Sequence, residues 1–224
     1  MSESIRPVMP RGYLGAQPMF AELGLYTISH NDPEIVTDDN QFEIKIGTSR
    51  PTKVTANLTN ARTLQSFTEN VFSQMTDNVI SFLVNVPTTG YYKLQVYALP
   101  SSDDSKTLPG VFNYLVLCNA TPTDPHPYPK QYAPWKNGCF LFEPLSLTNE
   151  SQLNNVHFKV RIPNAKSVAV TSDGEWQHLD TEGDDVWQGN VSLEKYRGTD
   201  SKISLNANFG GDTTKYATLL DYSL

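Results

Sequence analysis

The chain has 224 residues, 38% hydrophobic and 18% charged, with a net charge of −7 at pH 7 and a mean hydropathy of −0.40. That length suits two domains of ordinary size, and the acidic balance excludes a general nucleic-acid binder, which needs a basic face to neutralise phosphates. Attraction to anionic membranes is disfavoured for the same reason, and with no apolar run of ~18 residues, membrane insertion is not expected.

Eleven tyrosines and ten phenylalanines, with many valines and threonines and no Ala-rich or Leu-rich stretch, favour strands over helices. The N-terminus, Met1-Ser-Glu-Ser-Ile-Arg-Pro, has neither the basic start nor the apolar core of a signal peptide. The four sequons, at Asn57, Asn119, Asn149 and Asn190, then read as chance matches in a chain rich in Asn, Ser and Thr. A secreted sandwich would bridge its two sheets within a domain. Cys118 and Cys139 therefore read as free thiols in a reducing, cytoplasmic setting.

Residues 1–30 read as an extended N-terminal arm; Phe20, Leu23 and Gly24 could alternatively form one helical turn with a glycine C-cap. Residues 31–120 carry a period of two. Phe42, Ile44 and Ile46 alternate with Glu43 and Lys45; Val54, Ala56 and Leu58 share one face; Ile80, Phe82 and Val84 precede a strand-ending Pro87. Tyr92, Leu94 and Val96 follow, and residues 111–118 are apolar on both faces, as in a central strand. With residues 70–75 this makes six or seven strands at regular spacing, the signature of a first β-sandwich.

Residues 121–137 break the pattern. Five of the fifteen prolines fall between Pro122 and Pro134, where they fix φ, remove donors and forbid helix and central strand. Tyr128, Tyr132 and Trp135 punctuate the same stretch, which reads as a stiff proline-aromatic joint rather than a flexible linker. Residues 138–224 then repeat the alternation. Val156, Phe158, Val160 and Ile162 share a face, Asp173-Gly174 signals a two-residue hairpin, and Ile203, Leu205, Ala207 and Phe209 form a late strand. The fold class is all-β: two tandem immunoglobulin-like β-sandwiches joined by the proline-aromatic segment.

Several stretches carry a family likeness: Pro10-Arg-Gly-Tyr-Leu-Gly-Ala-Gln-Pro18; Gly90-Tyr-Tyr-Lys-Leu-Gln-Val-Tyr-Ala98; Phe112-Asn-Tyr-Leu-Val116 with Cys118; Tyr128-Pro-Lys-Gln-Tyr-Ala-Pro-Trp135; and Gly138-Cys139 through Glu143-Pro-Leu145. In these, and in its ending at Tyr216-Ala-Thr-Leu-Leu-Asp-Tyr222, the chain resembles the C-terminal half of the kyphoscoliosis-peptidase and hillarin family. The resemblance implies immunoglobulin-like domains that follow a transglutaminase-like core, in an intracellular protein that binds cytoskeletal or filament-associated partners. That core, which keeps a Cys-His-Asp constellation in some members, is absent from these residues, so no family catalytic residue maps onto the sequence. The implied role is a non-catalytic structural and interaction module. The alternatives are a regulatory or substrate-positioning tail of a thiol peptidase and, more remotely, an extracellular carbohydrate-binding or adhesion sandwich.

Four groups of residues invite sharper readings. A nucleophilic thiol needs a lowered pKa and an oriented imidazole; Cys118 and Cys139 sit at strand ends with no helix N-terminus beside them, so both read as packing residues. His30, His126, His157 and His178 lack zinc-ligand spacing. Asp180, Glu182, Asp184 and Asp185 share one turn but match no calcium loop, and read as solvated. Trp176 and Trp187 read either as an exposed platform for sugar or peptide, or, preferred, as a cross-strand pair filling the second core. No catalytic, cofactor-binding or metal-ligating residue is assigned, and no cofactor or small-molecule substrate is expected.

Overall fold

A computed structural model describes residues 5–224; the first four residues of the expected arm lie outside the described residues. The chain divides into two compact units, Met1–Pro127 and Tyr128–Leu224.

The first unit contains β1 (Gly15–Ala16), α1 (Pro18–Glu22), β2 (Leu25–Thr27), β3 (Glu34–Thr37), β4 (Gln41–Thr48), β5 (Thr52–Asn60), β6 (Val71–Thr76), β7 (Val79–Asn85), β8 (Gly90–Pro100) and β9 (Gly110–Cys118). One sheet runs β2-β4-β7-β6. The other runs β1-β9-β8-β5, with β3 lying parallel to β9. Four strands against a sheet built on β5, β8 and β9 is the immunoglobulin division of labour. Ile44, Ile46, Ile80, Phe82 and Val84 meet Leu94, Val96, Phe112, Tyr114 and Val116 in one core. The doubly apolar run at 111–118 is indeed an inner strand, with β8 on one side and β1 and β3 on the other.

Three local devices hold this sandwich together. Tyr92, buried near the start of β8, shares a 2.6 Å hydrogen bond with Thr88 at the preceding corner; immunoglobulin folds use a tyrosine in this position, usually bonded to backbone. Asn40 is fully buried and donates to the carbonyls of Val86 and Thr123, while its Oδ1 accepts from the Thr123 N–H, so it fastens the chain after β9 to the start of β4. The segment expected as an arm is woven in: β1 and β2 each join a sheet, and α1 delivers Phe20 and Leu23 to the core. Pro18 starts that short helix. Gly24 follows it at φ +72, where a Cβ would lie 2.1 Å from Ser49 Oγ, so glycine is required twice over.

The second unit contains β10 (Lys130–Gln131), β11 (Phe140–Glu143), β12 (Val156–Arg161), β13 (Ser167–Ser172), β14 (Glu175–His178), β15 (Asp180–Gly183), β16 (Val186–Val191), β17 (Lys202–Asn208) and β18 (Ala217–Ser223). Its sheets are β11-β12-β16-β15 and β10-β18-β17-β13-β14, again one of four strands and one of five. Phe158 of β12 meets Tyr222 of β18 edge-on at 5.8 Å, and Tyr222 donates to the Pro144 carbonyl at 2.7 Å. Asp173 and Gly174 take φ values of 47 and 80, the paired positive angles of the tight hairpin that their dipeptide signals. Residues 128–136 belong to this unit: β10 pairs with β18, and a 3-10 turn at Ala133–Lys136 carries the buried Trp135. Among the prolines before it, Pro122, Pro125 and Pro127 are exposed.

Candidate interaction site

The thiols are sealed. Cys118 and Cys139 are both buried and unbridged, one in each unit. Burial pushes the Cys139 thiol up to about 12, and burial likewise raises Cys118, whose Sγ lies 3.1 Å from the Ala120 carbonyl. Both shifts run against thiolate formation at neutral pH.

The histidines are dispersed. His30 pairs with Ser29 and faces Phe42 at 6.2 Å, its pKa lowered by burial. His126 bonds the Asp124 carbonyl, and His157 lies between Asn190 and Glu143. The acidic residues 180–185 form the exposed strand β15 and its turn, where Asp185 receives the Asn164 N–H. Among the described residues, no three His, Cys, Asp or Glu side chains gather as metal ligands.

The two tryptophans do not form the expected pair. Trp187 lies on β16 opposite Val160, facing the core and buried. Trp176 lies on β14, in the other sheet, and is 49% exposed. The reason is a switch of sheets at Leu179: a short strand, β15, pairs with β16, so the strand carrying Trp176 never neighbours the one carrying Trp187. Only one of the rings fills the second core.

Trp176 instead belongs to an aromatic roof. Along β14, Trp176 and His178 share the outward face, while Gln177 points the other way and exchanges two hydrogen bonds with the Ser192 backbone. Tyr216, one residue before β18, reaches across the sheet. Its ring meets Trp176 at 4.8 Å and 69°, and its hydroxyl donates to Ser167 Oγ on β13 at 2.8 Å. His178 stacks beside Trp176 at 6.2 Å and lies 6.4 Å from Tyr216. Ala169 and Asn206 occupy this same face and are buried. The small side chain of Ala169 leaves room for rings to lie over the sheet.

Around the roof the polar groups satisfy one another. Asn206 donates to Thr171 at 2.8 Å and accepts from Thr218 at 2.9 Å. Asp221, buried in the same sheet, accepts from Ser204 and Tyr132 and lies 3.5 Å from Lys202 Nζ. The hydrogen bond to Asp221 raises the Tyr132 pKa. On the resulting surface most polar side chains are paired with one another, and the half-exposed Trp176 ring lies over them. Its readable signal in the sequence was the Trp-x-His alternation on a strand with turn residues before it; Tyr216 carried none, because its place in the roof depends on reaching over two intervening strands.

Residues 10–129 match the model of the KY-like, immunoglobulin-like domain family, more than half of the chain. The chain belongs to this family. A curated relative, kyphoscoliosis peptidase of Homo sapiens, is 26% identical over 175 residues, which cover 76% of this chain and 26% of the relative. Its Mus musculus counterpart is 25% identical over the same shares. The chain thus spans about a quarter of the length of the curated relatives it matches. Among solved structures, a chimeric titin Z1Z2 is 14% identical with a TM-score of 0.25, over 85% of this chain and 89% of that one.

Proposed function

We propose that this KY-type chain is a non-catalytic interaction module of a cytoskeleton-associated protein. It works in the cytoplasm, takes filament-associated proteins as partners, and uses no cofactor, metal or small-molecule substrate. The observation that carries this reading is the aromatic roof on the second unit: Trp176 offers half of a large ring to solvent on a face whose polar groups are already paired. Such rings are the usual anchors of protein contacts. The sealed thiols add that the chain's own cysteines are poorly suited to nucleophilic work. Proximity labelling from the intact chain in cells tests the reading. Filament-associated proteins should be enriched, and Trp176→Ala should reduce the enrichment; a labelled set indistinguishable from that of an inert cytosolic control would overturn it.

The relatives are named as peptidases and are about four times as long as the matched region, which favours a second reading: a substrate-positioning tail of a transglutaminase-like thiol peptidase. In that case Trp176→Ala, placed in the longer protein, should raise KM with kcat unchanged, because uniform binding would be lost. Under the first reading neither constant moves.

A further inference from the structure

Between β2 and β3 the chain crosses from one sheet of the first unit to the other. His30 makes the bend at φ 53, its ring held by a 2.8 Å hydrogen bond to Ser29, whose Oγ also accepts the Lys45 N–H. A cleft of about 310 Å³ opens beside this crossing, lined by His30, Asp32, β3 and Phe42. Ile35 is part of the core and Phe42 packs against it, so the cleft reaches apolar surface.

One side of β3 is unpaired. Its ladder to β9 uses the carbonyls of Pro33 and Thr37, which accept from Leu115 and Asn119 at 2.8 Å each. By the period of two, Glu34 and Val36 turn their backbone groups to the opposite side, where no strand of the described residues lies. Asp32 Oδ1 takes the Glu34 N–H at 2.9 Å. The Val36 N–H and carbonyl have no hydrogen bond among the described residues, and Val36 is 69% exposed.

The edge is also acidic. Asp32 and Glu34 line the cleft, Asp38 and Asp39 follow β3, and all are exposed. Their one ion-pair partner among the described residues is Arg6, which donates to Glu34 through Nε at 2.9 Å in an exposed and therefore weakly held pair. Lys45 is paired with Glu43, and burial lowers the His30 pKa, so that ring carries no charge at neutral pH. A second copy of the chain is a poor occupant, since two such edges would set carboxylates against carboxylates. Arg6 shows instead which group this rim takes. We propose that the free edge of β3 accepts an extended basic segment of a partner protein as an added strand. The segment pairs with the Val36 N–H and carbonyl, its Arg or Lys side chains replace Arg6 at Glu34 and meet Asp32, and its alternate apolar side chains enter the cleft onto Ile35 and Phe42. This site belongs to the first unit and does not depend on Trp176.

The test is an amide NMR titration of the full chain with three short synthetic peptides of alternating Arg-Val, Ser-Val and Glu-Val. The Arg-Val peptide should shift the amides of residues 30–37, slow hydrogen exchange at Val36, and bind at least ~10-fold more tightly than either of the others. Val36→Pro removes the free N–H without touching the ladder to β9, so it should keep the fold and lose the binding. The isosteric pair Asp32→Asn/Glu34→Gln keeps the turn acceptor, should also lose the binding, and decides the matter if Val36→Pro does not fold. Arg6→Ala, which frees the Glu34 carboxylate, should bind more tightly, and Trp176→Ala should bind as the native chain does. Equal binding of all three peptides, shifts confined to other regions, or undiminished binding by the isosteric pair or by folded Val36→Pro would overturn the proposal. Loss of binding in Trp176→Ala would move the peptide to the roof, and concentration-dependent self-association through β3 without peptide would give the edge to a second copy; either result would also overturn it.

Discussion

Cys139 shows how burial converts into pH dependence at a single residue. The thiol ordinarily titrates at 9.0 and is pushed up to about 12 by burial, so the folded chain holds this proton more tightly than the unfolded one. The stability this contributes is complete below pH 9.0 and is lost as pH rises toward about 12. Denaturation midpoints of the native chain and Cys139→Ala should therefore converge as the pH climbs above 9.0, and alkylation of Cys139 should require unfolding. A thiol that reacts promptly in the folded state at neutral pH would contradict the burial argument. Asn40 is the polar counterpart. It makes three hydrogen bonds to Val86 and Thr123 with no exposed surface, so Asn40→Ala would leave buried backbone groups unpaired. The expected cost is about 2–4 kcal/mol, read from urea unfolding of the first unit.

In the second unit a ring pair adds to the ladders. Phe158 and Tyr222 link the two sheets across the core, and Phe158 has no exposed surface. Phe158→Ala should cost ~3–5 kcal/mol, since the cavity lies among strands that cannot close over it. Trp176→Ala on β14 removes a ring that is 49% exposed, so its cost should be about 1 kcal/mol, far below that of a core ring. That contrast separates a ring kept for contact from one kept for packing. Equal losses for the two variants in thermal melts would place Trp176 among the core residues instead.

Each of the two units of the molecule has its own pair of sheets and its own apolar interior. Heat should unfold the chain in two steps, with Phe158→Ala lowering one midpoint and Leu94→Ala the other, checked by calorimetry; a single transition displaced as a whole by either variant would mean one cooperative block. Limited proteolysis should begin in the exposed loop at residues 101–106, where Lys106 offers a site outside any strand. The resulting two-chain product should keep its strand content, because β8 and β9 remain paired on either side of the cut.

The residues alone determined the all-β class, the two runs of alternation on either side of the prolines, and the Asp173-Gly174 hairpin. Each rests on a local rule: a period of two, a missing N–H, a positive φ. The doubly apolar run at 111–118 announced an inner strand for the same reason, since both of its faces had to be covered. Tertiary structure alone decided what those rules cannot reach. Residues 15–16 and 25–27 became strands because edges of the first unit's sheets were there to accept them, not because their own pattern demanded it. The roof of Trp176, His178 and Tyr216 joins side chains up to forty positions apart. It exists because the chain changes sheets at Leu179 and leaves Ala169 as low ground beneath the rings. Sheet choice and long reach are settled by the packing of the whole unit, and no window of neighbouring residues contains that information.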